Sequence, residues 1–257
     1  MKFGRTLQTG ADRIRKRLSL YSDYDHIIPP EIKDDEFYEV IRDLASRAEV
    51  KTVLEIGSST GEGSTTAFVS GLRQNANRPT LYCIELSRPR FEALVARYGN
   101  DPHVRCFNIT SVPIDRYPTE QDVINFYRTR ASKMSRIPLR EVLRWWRQDV
   151  QYLNRTEQGQ NGIRKIKEEN GIDRFGIVLI DGSEFTGAAE LDEVYGADYV
   201  LLDDIGTFKN FSNFERLKAD PTYRLTATNP ELRNGYAVFE RLGQAAEEKG
   251  PTPAARL

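Results

Sequence analysis

The chain has 257 residues, and its 37 Lys and Arg nearly balance 38 Asp and Glu, for a formal net charge of −1. That balance gives no electrostatic case for a nucleic-acid partner, no apolar run reaches the length of a membrane span, and the length suits one α/β domain with insertions. Cys83 and Cys106, the two cysteines, each fall in an expected strand and read as buried thiols of a reduced compartment. No apolar stretch follows Met1 to Arg5, so a cytoplasmic protein without a secretory signal is expected.

Residues 1–30 are expected to form a short helix and a loop. Arg13, Arg15, Lys16 and Arg17 surround Ile14 and Leu18, which reads as an amphipathic helix with a solvated basic face. The loop from Tyr21 to Pro30 holds His26. A loop histidine is ordinarily polar surface, but this loop lies ahead of a glycine-rich segment at 57–63, so His26 is a candidate to fold over a ligand held there. Phe37, Val40, Ile41 and Leu44 then recur at the spacing of a helix that covers one sheet face.

Val53, Leu54 and Ile56 form the apolar run of a buried parallel strand. Gly57, Gly61 and Gly63 follow, then a helix to about Arg73. Strand, glycine-rich turn and helix let backbone approach a nucleotide-like ligand; a plain βα turn is the alternative. A second strand, 80–86, carries Glu85, at about the interval where such a unit sets an acid against ribose hydroxyls. The glycine spacing differs from Gly-x-Gly-x-x-Gly, and no Lys-Ser/Thr follows, which excludes a P-loop. Ser87 and Pro89 open a helix whose buried face is Phe91, Leu94, Val95 and Tyr98. The third strand, Val104 to Asn108, leaves Asn108, Thr110 and Ser111 at the carboxyl edge of the sheet, where open α/β sheets bind ligands.

Residues 113–172 have room for about three helices where a minimal unit needs one. Thr119 to Asp122 reads as a capping box, and Leu139, Val142, Leu143, Trp146, Val150 and Leu153 form a long stripe. Asn161 to Asn170 is the expected crossover, stopped at Gly171. Residues 113–160 are therefore an insertion, expected as a lid or as an interface between copies of the chain. Trp145 and Trp146 point to different sides of the helix, one to the core and one to substrate or a second subunit. Arg140, Arg144 and Arg147 line the same helix and read as a solvated charged face, with a place for an anionic group as the alternative.

The fourth strand, Phe175 to Ile180, ends in Asp181-Gly-Ser-Glu184, followed by a helix with Ala188, Leu191 and Tyr195 on one side. The fifth, Tyr199 to Leu202, ends in Asp203-Asp204. Two strands thus deliver three aspartates to one edge. Three carboxylates repel one another unless a cation or proton intervenes, and an oxygen-only set suits Mg²⁺. Each aspartate is also an ordinary cap for the helix after it. Lys209 is placed to approach this edge. Tyr223 to Ala227 and Tyr236 to Glu240 read as the last strands, with a turn at Asn234-Gly235. Residues 242–257 read as a flexible tail.

The Glu55-x-Gly57-x-x-x-Gly61-x-Gly63 segment resembles the first motif of the class I S-adenosylmethionine (SAM) methyltransferases. The resemblance spans about residues 31–241. It implies a three-layer Rossmann-like sandwich with a seven-stranded, mostly parallel sheet and an antiparallel finish. It also implies that Glu55, Gly57, Ser59, Gly61, Gly63 and Ser64 hold the methionine part of SAM, Glu85 the ribose, and Asn108, Thr110 and Ser111 the adenine. Asp181 with Asp203-Asp204 is similar to the metal site of the Mg²⁺-dependent O-methyltransferases of the catechol, macrocin and mycinamicin types, where the cation holds two adjacent substrate oxygens. In that family a Lys or His base stands three residues after the first aspartate. Here the position is Glu184, with Asp181 and His26 as the other candidates for the base.

The expected function is SAM-dependent O-methylation of a hydroxyl on a small metabolite or sugar, assisted by Mg²⁺. The alternatives are a metal-free N- or protein methyltransferase and a non-catalytic binding protein of the same fold. No nucleic acid or membrane partner is expected, and a homo-oligomer would form through residues 113–160.

Overall fold

The computed structural model describes residues 26–156 and 159–243. The basic helix expected over residues 11–20 lies outside them, as does the tail beyond Gly243. Seven strands form one sheet in the order β3-β2-β1-β4-β5-β7-β6. They are β1 (Thr52–Ile56), β2 (Thr80–Ile84), β3 (Val104–Phe107), β4 (Ile177–Ile180), β5 (Tyr199–Asp203), β6 (Tyr223–Asn229) and β7 (Tyr236–Arg241). The first five run parallel, and β7 runs antiparallel to both β5 and β6. The chain winds outward from β1 through β2 to β3, then returns to lay β4 on the other side of β1. That reversal opens a crevice at the carboxyl ends of β1 and β4.

Strands β1, β4 and β5 are apolar on both faces because both faces are covered. One face carries α1 (Glu36–Ala45), whose Phe37, Ile41 and Leu44 are buried, together with α2 (Ser64–Gln74) and α3 (Arg88–Tyr98). The other carries α6 (Gly162–Asn170), α7 (Gly187–Val194) and α8 (Phe211–Ala219). Local sequence sets the ends. Asp35 accepts the Tyr38 N–H at the start of α1, Ser87 caps α3 with Pro89 behind it, and Gly171 closes α6 in the left-handed conformation at φ +61°. Two helix faces differ from expectation. On α3 only Leu94 and Tyr98 are buried and Val95 is exposed, because the helix covers the edge near β3. On α7 the buried apolar side chains are Ala189, Leu191 and Val194, with Gly187 and Glu190 also buried, whereas Ala188 and Tyr195 face solvent.

Helices α4 (Glu120–Thr129) and α5 (Leu139–Thr156) lie between β3 and α6. Thr119 and Asp122 close the capping box at α4. These helices do not extend the main core. Val123, Met134 and Val142 gather with Phe185 in a small separate one above the carboxyl edge. Among the described residues, no helix is long and apolar enough to cross a membrane.

Candidate active site

A cavity of about 570 Å³ opens at the carboxyl edge, from the turn after β1 to the segment after β5. Gly57 begins its floor at φ +91°, a conformation that disfavours any side chain. A Cβ there would lie 2.1 Å from the carbonyl oxygen of Asp181, so glycine lets the ends of β1 and β4 close on each other. Ser59 follows at φ +49° and donates its backbone N–H to Glu85 Oε2 at 2.7 Å. The Ser87 N–H donates to Oε1, also at 2.7 Å. Glu85 is 5% exposed and lines the cavity. Burial raises its pKa despite these donors. The buried Ser59 hydroxyl has no hydrogen-bond partner, so the turn carries an unused polar group at the cavity.

The structure does not bring every expected residue to the cavity. Gly57, Ser59, Glu85, Thr110 and Ser111 line it, but Glu55, Gly61, Gly63, Ser64 and Asn108 do not. Glu55 is fully buried beneath the turn, where its two oxygens accept the hydroxyls of Ser64 and Thr65 at 2.7 Å each. It knits β1 to the start of α2. Gly61, at φ +78°, makes room for Leu94 and Tyr98. Asn108 turns its amide to the carbonyls of Glu85 and Leu86, at 2.8 and 2.9 Å, and braces the loop after β2. His26 is exposed, gives its backbone carbonyl to Arg90 Nε at 2.9 Å, and does not line the cavity.

Other groups were not foreseen. Glu190 on α7 is fully buried and accepts the Ser111 hydroxyl at 2.5 Å and the Thr186 hydroxyl at 2.7 Å. Its Oε2 has no partner. Asp149 on α5 is 8% exposed, lines the cavity and accepts the Ser183 hydroxyl. Within the apolar stripe of α5, an aspartate one position before Val150 gave no signal of its own. The insertion also supplies a wall of Met134, Ile137 and Trp145, which Phe185 completes. Trp145 thus faces the cavity, while Trp146 donates its indole N–H to the Pro118 carbonyl at 2.9 Å. Arg144 and Arg147 pair with Glu141 and Glu120 at the surface.

At the far end are the three aspartates. Lys209 lies between two of them, with Nζ 2.8 Å from Asp181 Oδ1 and 2.7 Å from Asp204 Oδ2. Asp204 Oδ1 accepts the Asn234 amide at 3.0 Å. Asp203 Oδ1 accepts from Arg233 at 2.9 Å, and Arg233 also pairs with Asp35. Asp203 does not line the cavity, and its Oδ2 has no partner. Burial alone would lower the Lys209 pKa, but Asp181 and Asp204 outweigh it and hold the ammonium charged. Burial would raise Asp204, and Lys209 reverses that, so its carboxylate stays ionised. Burial, helped by Asp204, pushes Asp203 up to about 6. Glu184 lines the cavity beside Lys209, whose backbone N–H reaches Oε1 at 3.3 Å, and burial pushes its carboxyl up to about 7.

The turn, with the unused Ser59 hydroxyl and the buried Glu85 at the cavity, suits a ligand with the polar methionine and ribose ends of SAM. The aspartates do not fit Mg²⁺ as expected, because an ammonium already joins Asp181 to Asp204. Among the described residues, the three carboxylates whose ligand atoms lie within 4.8 Å of one another are Glu31, Asp203 and Asp204, without Asp181.

The reversed β7 beside β5 distinguishes this sheet from a dinucleotide-binding one. The chain has the Rossmann-like methyltransferase fold. No family model matches the chain, and no curated protein matches it. Among solved structures it is similar to an O-methyltransferase from Bacillus cereus in complex with SAH, at 11% identity and TM-score 0.49, over 91% of this chain and 98% of that one. An O-methyltransferase from Streptomyces achromogenes, in complex with SAM, is 14% identical at TM-score 0.48 over 91% and 88%. A methyltransferase from Geobacter sulfurreducens is 12% identical at TM-score 0.46 over 90% and 87%.

Proposed function

We propose that the protein is a SAM-dependent O-methyltransferase acting on a small hydroxylated molecule. The observation that carries this reading is the single cavity that joins Glu85 and the glycine turn to Glu184 and Lys209. Its volume lies within the range of small-molecule sites. Bound there, SAM supplies an electrophilic methyl group on a sulfonium.

On the donor side, the Ser59 hydroxyl serves the methionine part and Glu85 the ribose. Thr110, Ser111 and Asp149 bound the opposite side of the cavity and serve the base. Much of the Thr110 and Ser111 polarity is already used, since Thr110 Oγ1 donates to the Val112 carbonyl at 2.8 Å and Ser111 to Glu190. These two residues therefore shape the pocket more than they hydrogen-bond in it.

On the acceptor side, Met134, Ile137, Trp145 and Phe185 form an apolar wall that selects a small molecule with an apolar or ring face and excludes water. An ammonium has three N–H donors. Lys209 commits two to Asp181 and Asp204, and the third is available to the acceptor oxygen. Glu184 takes the hydroxyl proton, since a carboxyl titrating near neutrality is matched to that work.

Calorimetric titration with SAM, on the wild type and Glu85→Ala, tests the reading. Binding that Glu85→Ala weakens supports it and justifies a search for hydroxylated acceptors. A folded wild-type sample that takes up no SAM would end it.

A further inference from the structure

We propose that Lys209 is the resident cation of the acidic edge: its ammonium, set between Asp181 and Asp204, fills the position that these acids would otherwise give to a divalent metal ion. This deepens the methyltransferase reading by making the transfer metal-independent. The geometric claim stands apart from that reading.

The position of Lys209 is built from several sides. Asn210, next to it, donates its amide to the carbonyls of Ile180 and Asp203, at 2.9 and 2.6 Å, and so spans the ends of β4 and β5. The backbone on the far side presses on Gly187, where a Cβ would lie 1.9 Å from the Lys209 carbonyl oxygen. The Lys209 N–H is turned to Glu184. The side chain is 8% exposed. Lys209 is therefore held by β4, β5 and α7 together, unlike a surface lysine that could swing aside.

The surrounding charges close the metal position. Mg²⁺ needs its oxygens at about 2.0–2.1 Å in a near-octahedral set. To enter between Asp181 and Asp204 it would have to expel a buried ammonium. In the neighbouring trio of Glu31, Asp203 and Asp204, Asp203 Oδ2 is free, but positive charge already stands against Asp203 Oδ1 and Asp204 Oδ2. Both Asp204 oxygens have partners, and Arg233 lies on Asp203 with its other arm on Asp35. A cation arriving there meets two fixed positive charges.

In the transfer, the acceptor's O–H proton passes to the Glu184 carboxylate and its lone pair forms the new O–CH₃ bond. The electron pair of the broken S–CH₃ bond stays on the donor sulfur. The Lys209 N–H steadies the charge on the oxygen while this happens, the part a Lewis acid would otherwise take.

The test is the paramagnetic signal of free Mn²⁺, titrated with the whole chain. Wild type is expected to leave the signal unchanged, with SAM present or absent. Lys209→Met, folded as judged by a cooperative melt, is expected to quench it, with affinity at least about tenfold above wild type; Lys209→Gln is the second variant should Met fail to fold. Mn²⁺ bound by the wild type and lost in Asp204→Asn would overturn the proposal, as would folded Lys209 variants that gain no Mn²⁺. SAM calorimetry in EDTA separates the two readings. Lost SAM binding with the Mn²⁺ pattern intact defeats only the methyltransferase assignment. SAM binding beside a wild-type Mn²⁺ site defeats only the present claim.

Discussion

Ser59 and Glu85, 26 residues apart in sequence, are joined by a 2.7 Å hydrogen bond from the serine backbone to the glutamate carboxylate. The bond fixes the turn after β1 against the end of β2, and the Ser87 N–H holds the same carboxylate from the other side. Glu85→Ala removes the proposed ribose contact and leaves two backbone donors without their acceptor. SAM affinity should fall at least about tenfold, near 1.4 kcal/mol. Glu55→Gln, changed beneath the cavity, should alter the melting temperature far more than the SAM dissociation constant. Equal loss of affinity in the two variants would contradict the separate roles assigned here.

Gly57→Ala places a methyl group against the carbonyl of Asp181 in a left-handed backbone. Two strand ends must part to admit it. Urea unfolding should show a loss of about 2–4 kcal/mol. A variant as stable as the wild type would mean that the ends of β1 and β4 do not close on each other.

Glu184 gives the pH dependence. Its folded pKa, about 7, stands above the reference value of 4.5. The folded state therefore holds this proton more tightly than the unfolded state. Stability is lost as pH rises from about 4.5 to about 7, while the base that catalysis needs forms over the upper part of that window. Methyl transfer should rise with pH through an apparent pKa near 7 and then level off. Glu184→Gln should lower kcat by about 100-fold. Above neutrality it should also be more stable than wild type by roughly 1–3 kcal/mol. A rate profile flat from pH 5 to pH 9, about two units either side of neutrality, would remove Glu184 from the role of base.

Arg233 holds Asp203 and Asp35 at once. Arg233→Met leaves a buried carboxylate unpaired, at a cost of about 3–5 kcal/mol. Adding Asp203→Asn should recover much of that loss, because the stranded charge is then gone. Strictly additive losses in this double-mutant cycle would show that the pair is not coupled.

Much of the sheet can be read directly from the chain. The runs at Val53, Ile177 and Val200 are apolar on both faces, and glycine or acid follows each at the carboxyl edge. Glu85 is legible for the same reason, since strand end and spacing both mark it. Glu55 shows the limit. It alternates out of the apolar run of β1, yet only the fold reveals that Ser64 and Thr65 turn back to cover it. Glu190 and Asp149 carry no motif because each lies on a helix whose pattern records packing, and their meeting with Ser111 and Ser183 joins distant segments. The three aspartates were visible as a group. The sequence places Lys209 near this edge, but only the fold shows that Lys209, five residues after Asp204, sits between that residue and Asp181.

The Asn210 side-chain amide spans the main-chain carbonyls of Ile180 and Asp203 and so ties the ends of the paired strands β4 and β5 without using the carboxylates. The side chains at 181, 204 and 209 hang from a frame they do not hold up. Charge at this edge can accordingly be rewritten without widening it, which makes these three positions a natural place to exchange one reaction chemistry for another on an unchanged scaffold.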